Sequence, residues 1–480
     1  MSAGDIVSAE PRTKAASSVD PLKLVFMVAC VAIPVAIWFS PFNIPTPAKH
    51  AMAISSFMIL AWITNIMEYG ATGLIGCLLF WALGVANRDT SFSGFVNNDT
   101  PWFLFGAILL GVAANKTGIP QRVGAWVVTR VGSSYSRLLL GVIITSFVLT
   151  PIVPSGSARI VIMAALAIGI INAFGVGKGS NIGRAIFLVL TYTAAIFDKM
   201  IIAGAGAITA QGFITRVGQV EVSWGQWFIA FLPCAIITIF AAWLFALWFY
   251  PPEAAGLEGR MDKLRNELRG SVPWTIQSLK ASILIAAAII LWLTDFIHHV
   301  SPAIIAMALA LIAFLPFVNV LDADDMQRAN LLPVFFVAAA LSMSTVAEQT
   351  GALKLLTDSF FGDLQPLLAN KLLAIPALYW GGFVYHFATA SEISMLATSL
   401  PVLMEFAKTN HLDVLWIGMV WSFSAGGKLF AYQSAPLIIG YAYGYFKHTD
   451  LIKIGAVLTV VEFGALALSV IFYWPLIGLG

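Results

Sequence analysis

Charged side chains are scarce in this sequence. Asp, Glu, Lys and Arg together make up 10% of the 480 residues, whereas apolar residues make up 59%. The surface of a soluble domain needs far more charge, since about a quarter of the residues of an average globular protein are charged. Apolar runs of about 20 residues, the length that spans a bilayer, recur along nearly the whole chain. The composition therefore excludes a soluble protein and predicts an all-α integral membrane protein embedded in a lipid bilayer.

Cysteine and histidine are also scarce, which limits the chemistry available to the chain. The three cysteines lie in apolar segments, and neither they nor the six histidines have the spacing of metal ligands. The sequence has no phosphate-binding lysine loop, and Gly204-Ala205-Gly206 lacks the third glycine of a dinucleotide-binding loop. A net charge of +2 is too small to indicate a nucleic-acid partner. We therefore expect no metal site, no cofactor and no nucleic-acid partner.

Two segments of the chain, 233 positions apart, have similar sequences. Residues 102–118 read WFLFGAILLGVAANKTG and residues 335–351 read FFVAAALSMSTVAEQTG, so that Thr117 falls on Thr350 (350 − 117 = 233). Duplicated membrane chains often bind a substrate between their two repeats. We predict a first transmembrane repeat with its leading helices at residues 23–250 and a second at residues 281–480. The repeats are expected to be inverted, with about 11 transmembrane helices, two re-entrant hairpins and broken helices.

The polar N-terminus and the charged middle of the chain indicate how the chain is oriented in the membrane. Residues 1–22 are polar and are expected to be a disordered cytoplasmic N-terminus. The apolar stretch that follows lacks a small-residue cleavage site, which predicts a retained helix rather than a signal peptide. Residues 251–280 carry several Lys, Arg, Asp and Glu residues and are expected to form a cytoplasmic linker between the repeats.

One polar break interrupts the apolar segments of the first half. In residues 150–163, TPIVPSGSARIVIM, two prolines stop a helix, Ser155-Gly156-Ser157 forms a turn and a new helix begins near Ala158. The free N–H groups at the start of a helix carry partial positive charge, and small hydroxyl side chains let an anion approach them. An ordinary proline kink, satisfied by serine hydroxyls, is the alternative interpretation.

The same offset of 233 places a second polar break in the second half. Ser155 falls on Ala388 (388 − 155 = 233), within the sequence HFATAS of residues 386–391. Matched breaks in two membrane repeats indicate the substrate site of a transporter. We therefore predict that the substrate-binding residues are Ser155, Gly156, Ser157, Arg159, His386, Ala388, Thr389, Ala390 and Ser391.

Two of these residues can carry positive charge. An arginine at membrane depth costs about 2.5–3.5 kcal/mol on insertion scales, so it normally faces a wet cavity or a partner. Arg159 and His386 together would complement a polyanion, and the guanidinium offers a bidentate fork. The alternatives are an arginine that reaches the membrane interface and a core imidazole that is hydrogen-bonded to the backbone.

Other charged residues also lie within apolar segments. Asp198 and Lys199 are adjacent, so both cannot point the same way from a helix, and this predicts an unwound stretch ahead of residues 204–206. The matching stretch in the second half precedes another polar break at residues 433–436. The possible additional binding residues are Lys199, Gly204, Gln433, Ser434 and Pro436. The sequence leaves open which pairs form among Asp198, Lys199, Glu68, Glu392 and Lys428.

With these segments in place, the sequence resembles the divalent anion:sodium symporter family over roughly residues 24–478. It is most similar to the sodium-independent branch of citrate/succinate and plastid 2-oxoglutarate/malate exchangers. PSGSAR at residues 154–159 is similar to the P-S-N-T-A-R of that branch, and HFATA at residues 386–390 is similar to its H-Y-A-T-G. Three further segments match in the same order along the chain: WITNIMEYG at 62–70, YPPE at 250–253 and YWPLIG at 473–478.

The resemblance implies a secondary transporter of small di- or tricarboxylates that works by alternating access, as a homodimer in the inner membrane of a bacterium. It also implies that two Ser-Asn-Thr triplets contact the substrate carboxylates and, in symporters, the sodium ions. Here Gly156 replaces the first Asn, and Ala388 and Ala390 dilute the second triplet. Oxygen ligands for sodium are thereby lost, so we expect sodium-independent exchange, with Arg159 and His386 supplying fixed positive charge.

Two other classes of function remain as alternatives. A sodium- or proton-coupled anion symporter is the alternative within the transporters. A membrane-embedded enzyme or an assembly subunit would need converging His, Glu and Asp side chains on facing helices, which the sequence does not show, so we expect no enzymatic activity. The sequence leaves open whether the anion is a carboxylate, a hydroxy acid or a sulfonate.

Overall fold

The structure is a computed structural model that describes residues 21–131, 133–253, 274–361, 364–389 and 391–479. Most of the expected N-terminal tail, most of the linker at 251–280 and the predicted site residue Ala390 lie outside the described residues. Within the described ranges every regular element is helical, with no β-strand. The prediction of an all-α membrane protein is therefore confirmed.

The helices of the first half end at the linker. They are α1 (Pro21–Trp38), α2 (Thr46–Thr64), α3 (Tyr69–Ala82), α4 (Arg88–Ser91), α5 (Ser93–Val96), α6 (Thr100–Lys116), α7 (Ile119–Val131), α8 (Tyr135–Leu149), α9 (Gly156–Phe174), α10 (Asn181–Ile196), α11 (Ala205–Arg216) and α12 (Trp224–Phe249). A short 3₁₀ turn, Phe197–Lys199, continues α10.

The helices of the second half begin within the predicted linker, since α13 starts at Ile276. They are α13 (Ile276–Leu293), α14 (Asp295–His298), α15 (Pro302–Ile312), α16 (Ala323–Arg328), α17 (Leu332–Gln349), α18 (Ala352–Phe361), α19 (Gln365–Ala369), α20 (Lys371–Ala388), α21 (Glu392–Thr409), α22 (Val414–Ser424), α23 (Ala435–Ala442) and α24 (His448–Leu468). A 3₁₀ turn, Ala431–Gln433, precedes α23, and one π-helical and one 3₁₀ segment extend α24 to Ile477.

Many of these helices are long and apolar enough to cross a bilayer. Six of those described pass this test, and a seventh span results if α6 and α7, which are bent by 64°, count as one. Five shorter apolar helices, among them α3, α8 and α22, add to these. By length and composition, six or seven of the roughly 11 expected spans are found among the described helices, and the five shorter apolar helices fall below the length that this test requires. The chain is a multi-pass integral membrane protein.

The repeated Thr-Gly motif ends a helix in both halves. The hydroxyl of Thr117 donates to the carbonyl of Ala113, and the hydroxyl of Thr350 donates to the carbonyl of Val346, each over 2.7 Å. The glycine that follows is left-handed in both places, with φ of +72° at Gly118 and +77° at Gly351. A left-handed glycine after the last helical residue is a common helix stop. The sequence match therefore corresponds to a matched structure.

The two matched helices run in opposite directions. Lys116 at the end of α6 pairs with Asp322 and Asp325 beside α16, just before α17 starts. The hydrogen bond from Lys116 lowers the pKa of Asp322 below its usual range. Gln349 at the end of α17 accepts a hydrogen bond from Thr90 of α4, ten residues before α6 starts. Since α6 and α17 also contact each other, they are antiparallel, as inverted repeats require.

Two pairs of consecutive helices double back within the fold and form helical hairpins. In the first, α8 and α9, the rings of Tyr135 and Phe174 at the open end lie 6.0 Å apart. In the second, α20 and α21, the hydroxyls of Tyr385 and Thr398 on the two legs lie 2.8 Å apart. Each hairpin turns at one of the predicted polar breaks.

The hairpins open toward opposite ends of α12. Trp243, near the end of α12, donates to the carbonyl of Ser136 at the open end of the first hairpin. Lys371, at the open end of the second hairpin, lies over the ring of Trp416 in α22. The start of α22 packs against Gly218, six residues before α12 begins. The hairpin tips therefore approach each other from opposite sides.

The left-handed glycine of the second motif predicts a measurable difference in stability. A Cβ at Gly351 would meet nothing within 4 Å, so only its φ of +77° opposes a side chain. We expect Gly351→Ala to destabilise the protein by about 1–2 kcal/mol, because Cβ clashes with the backbone in this conformation. Gly351→Asn should destabilise it less, since asparagine adopts this conformation more readily. Thermal unfolding in detergent checks this order, and equal unfolding temperatures for the two variants would contradict it.

Candidate functional site

The first polar break forms the turn and helix start that the sequence predicts. Ser155 is exposed and caps α9, its hydroxyl accepting a hydrogen bond from the N–H of Ala158 over 3.3 Å. The helix begins at Gly156, two residues before the predicted start. Ser157 is half-buried in its first turn. This break is the tip of the first hairpin.

The second polar break has the same capping geometry but a different register. Ser391 caps α21, its hydroxyl accepting a hydrogen bond from the N–H of Ser394 over 3.2 Å, whereas Ala388 is the last residue of α20. The structural counterpart of Ser155 is therefore Ser391 (391 − 155 = 236), and the pairing with Ala388 is wrong by three residues. The register shifts because α18 and α20 are joined by a longer connection, which contains α19, than α7 and α8.

Arg159 ties the first tip to the end of α10. Its side chain is fully buried, and the guanidinium donates to the carbonyls of Val153 and Ala194, both over 2.8 Å. It also forms an ion pair with Asp198 at 2.5 Å. The fork predicted for a bound anion is thus engaged by groups of the protein itself. The alternative of an arginine that reaches the membrane interface does not fit this burial.

Lys428 links the second tip to the carbonyl of Ala195, which is next to the one that Arg159 binds. Its ammonium donates to the carbonyl of Ala195 over 2.8 Å and pairs with Glu392, the first residue of α21, at 2.9 Å. Ala194 and Ala195 lie in the last turn of α10, where carbonyl groups lack partners within the helix and attract cations. Arg159, from the first hairpin tip, and Lys428, from the break that lies beside the second tip, therefore both bind the C-terminal end of α10.

Lys199 points away from this helix end. Its ammonium pairs with Glu462 of α24 at 2.6 Å, and both side chains are almost completely buried. The ammonium also lies 4.0 Å from the centre of the Phe423 ring. Asp198 and Lys199 therefore have different partners, Arg159 and Glu462, and both lie in the 3₁₀ turn at which α10 ends. Sequence reasoning missed Glu462, whose signal was a single carboxylate in the apolar last span.

Glycine allows the elements around the two tips to come close. A Cβ at Gly156 would lie 2.5 Å from the carbonyl oxygen of Ala194 and 2.9 Å from Pro436. A Cβ at Gly204 would lie 2.7 Å from the Cβ of Asp198, and one at Gly206 would lie 2.4 Å from a carboxylate oxygen of Glu392. Gly156 thus has no room for a larger side chain.

The other predicted site residues lie at helix ends or in the break before α23. His386 is fully buried in the last turn of α20, and within the described residues neither ring nitrogen has a hydrogen-bond partner. Thr389 is buried, and its hydroxyl donates to the carbonyl of His386 over 3.4 Å. The amide oxygen of Gln433 accepts from the backbone N–H groups of Leu429 and Phe430 and so holds the break before α23. Ser434 ends this break.

Two clusters result, one at each tip. The first contains Ser155, Gly156, Arg159, Asp198, Gly204 and Pro436, and the second contains Ser391, Glu392, Gly206 and Lys428. Glu68 joins neither cluster, because it caps α3 through the N–H of Ala71. A cavity of about 740 Å³ lies elsewhere, lined by residues within 97–103, 211–226 and 295–303. Among the described residues no group of three His, Cys, Asp or Glu side chains is arranged to hold a metal ion.

The motifs that carry the resemblance stabilise helix ends and helix contacts. The carboxylate of Glu253 accepts hydrogen bonds from the N–H groups of Asn181 and Ile182, which start α10. The indole of Trp62 donates to the carbonyl of Tyr69 over 3.1 Å, and the indole of Trp474 donates to a carbonyl of α12 over 3.0 Å. Each of these motifs thus contributes a hydrogen bond that fixes a helix end or a contact between helices.

The ion pair of Arg159 predicts non-additive effects of substitution. Arg159→Met leaves Asp198 and two carbonyls without their partner, and breaking a buried pair costs about 3–5 kcal/mol. The double variant Arg159→Met with Asp198→Asn removes both charges, so we expect it to lose less stability than the single variant. Thermal unfolding in detergent measures the difference. A double variant that is no more stable than the single one would show that the pair does not set the stability here.

The close approach of Gly156 gives a second prediction. Gly156→Ala places a methyl group 2.5 Å from the Ala194 carbonyl, and overpacking of this kind costs about 1–3 kcal/mol. Ser157→Ala, one residue further and half-buried, is the matched control and should change stability much less. We expect the unfolding temperature to fall for Gly156→Ala only. Equal unfolding temperatures for the two variants would mean that the tip has more room than the structure shows.

The sequence matches known proteins along nearly its full length. Residues 22–479 match the family model described as Sodium:sulfate symporter transmembrane region. The citrate/succinate antiporter of Escherichia coli K12 is 24% identical over 490 residues, covering 95% of this chain and 97% of that protein. The L-tartrate/succinate antiporter of the same strain is 23% identical over 401 residues, covering 80% of each protein. A protein of Cupriavidus necator named only as a membrane protein is 24% identical over 476 residues, covering 94% of this chain and 91% of that protein. Because the family model covers almost the whole chain, the chain belongs to the sodium:sulfate symporter family of membrane transporters, as its motifs predicted.

Proposed function

We propose that this protein exchanges small di- or tricarboxylates across the membrane by alternating access and without sodium. Two relatives, named as citrate/succinate and L-tartrate/succinate antiporters, support the substrate class and the mode of transport. The observation that carries the proposal is the engagement of Arg159 and Lys428 at the end of α10. The substrate site proposed here lies between the two hairpin tips, at Ser155, Gly156, Ser157, Arg159 and the second break with Ser391.

The side chains of Arg159 and Lys428 bind backbone oxygens that could otherwise serve as ligands of a sodium ion. Hard cations are bound by carbonyl and carboxylate oxygens. At the tips, the carbonyls of Val153, Ala194 and Ala195 accept hydrogen bonds from Arg159 or Lys428. These cations belong to the chain and are not released on either side of the membrane. A sodium gradient therefore has no ion to move, and the gradient that remains to drive transport is that of a second anion.

The hairpins supply the geometry for alternating access. They open on opposite sides, and their tips meet at the same broken helix. In the proposed cycle, the hairpins and the broken helices move relative to the remaining helices and expose the tips first to one side and then to the other. The hydroxyls of Ser155 and Ser391 and the free N–H groups of α9 and α21 receive the substrate carboxylates.

The proposal extends to the placement of the chain in the membrane. Several basic residues lie near the side on which the linker leaves α12: Arg122 lies over Trp274, and Lys280 donates to the carbonyl of Phe317. The positive-inside rule assigns this side to the cytoplasm. A bacterial inner membrane, a cytoplasmic N-terminus and the homodimer implied by the resemblance are parts of the same proposal.

Counterflow in proteoliposomes tests this function. Vesicles preloaded with unlabelled succinate are expected to accumulate labelled succinate in sodium-free potassium buffer, whereas empty vesicles should take up little. The reason is that, without a sodium ion to carry, only the outward gradient of the preloaded anion can drive the uptake of the labelled one. Citrate, tartrate and a disulfonate as competitors define the substrate class.

Protein-free liposomes are the control for this measurement. Strong stimulation of uptake into empty vesicles by an inward sodium gradient would contradict sodium-independent exchange and would favour a symporter. Failure of all the tested anions to exchange with themselves would contradict carboxylate exchange altogether.

A further inference from the structure

The two ion pairs at the tips are asymmetric in their exposure. The cations Arg159 and Lys428 are fully buried, whereas the side chains of Asp198 and Glu392 are 17% and 13% exposed. The carboxylate is therefore the outer member of each pair. An anion that arrives from water reaches either cation only by passing the carboxylate that now occupies it.

The charges at the centre of the fold already balance. Arg159, Lys199 and Lys428 are matched one to one by Asp198, Glu462 and Glu392. A dicarboxylate added to this centre would bring two negative charges without partners into a region of low dielectric, where unpaired charges are very unfavourable. Binding of the substrate therefore requires that two cations be released from their internal partners.

The two carboxylates are held less firmly than the cations they neutralise. Arg159 keeps two backbone carbonyls, and Lys428 keeps the carbonyl of Ala195, when the carboxylates leave. Within the described residues, the hydrogen bond to Arg159 is the only one to the Asp198 side chain, and that to Lys428 is the only one to the Glu392 side chain. A second, buried oxygen of Glu392 has no hydrogen-bond partner. The carboxylates can therefore leave while the cations stay in place.

We propose that Asp198 and Glu392 occupy, in the empty carrier, the places that two carboxylates of the substrate take when it binds. The arriving dianion displaces them, and each turns toward water while its cation keeps its backbone contacts. This inference rests on the proposed function and adds that two carboxylates of the protein compete with the substrate for its binding site. Glu462 is not such a competitor, because its side chain is fully buried against Lys199.

Replacing each of the two carboxylates by its amide removes the negative charge and keeps the shape of the side chain. Asp198→Asn and Glu392→Gln each retain an oxygen that accepts a hydrogen bond from Arg159 or Lys428, but they carry no negative charge. The half-saturation concentration of succinate in counterflow is expected to fall by about tenfold in each variant, since a hydrogen bond between charged groups is replaced by a weaker one. An unchanged or raised value in folded variants would overturn the proposal.

Glu405→Gln is the matched control. Glu405 lies in α21 near its far end, pairs with Lys408 at 2.7 Å and is 16% exposed, so it matches Glu392 in its exposure and in having a lysine partner. Its half-saturation concentration is expected to equal that of the wild type. A fall of the same size in this variant would show that a general charge effect, and not displacement, lowers the value, and would also overturn the proposal.

A measurement on the wild type keeps the proposal testable if the variants do not fold. Infrared difference spectra with ¹³C-carboxyl succinate separate the bands of the substrate from those of protein carboxylates. Displacement is expected to change the protein carboxylate bands when succinate binds, and spectra without such a change would overturn the proposal. Sodium-independent counterflow by the wild type is scored separately. If it is present while the spectra and the affinities do not change, only the displacement fails; if it is absent, the proposed exchange fails.

Discussion

The end of one broken helix organises the centre of this protein. The carbonyls of Ala194 and Ala195 are left without partners inside α10 because the helix stops at Ile196, and in a membrane such groups must be satisfied by other parts of the chain. Arg159 meets one carbonyl and Lys428 meets the other. The two cations come from different repeats, so this single helix end joins the halves of the molecule. The positions of both hairpin tips depend on it.

The breaks in the helices are what make this arrangement possible. A continuous helix through residues 197–204 would satisfy its own carbonyls and leave no acceptor for Arg159 or Lys428. The 3₁₀ turn instead directs Asp198 to the first hairpin and Lys199 to the last helix. Glycines at the contacts let backbone, carboxylate and proline approach within distances that a Cβ would prevent. The polar network and the chain breaks therefore depend on each other.

The sequence alone predicted the two polar breaks and the need of Arg159 for a partner, since each of these has a local cause. Proline, serine and glycine disturb a helix where they stand, and an arginine within an apolar run must find a partner. The identity of the partners was out of reach, because Lys199 and Glu462 are 263 positions apart and nothing local connects them. The register of the second tip was predicted three residues too early, because a constant offset does not anticipate the additional helix α19 in one connection.

Fixed cations impose a constraint on the substrate that a mobile cation does not. A sodium ion arrives with its charge and leaves with it, so a sodium-coupled site can be empty of both anion and cation. Here Arg159 and Lys428 stay in the membrane whether or not an anion is bound, and a buried cation without a partner is strongly unfavourable. The chain must then supply its own anions for the empty state, and Asp198 and Glu392 stand at the places where such anions are required. In the proposed displacement, the same carboxylates that stabilise the empty carrier weaken its binding of the substrate. In a carrier of this kind, the centre remains neutral without sodium, and competition from the internal carboxylates keeps the affinity for the substrate moderate. Moderate affinity suits an exchanger, because the substrate must be released as readily as it is bound.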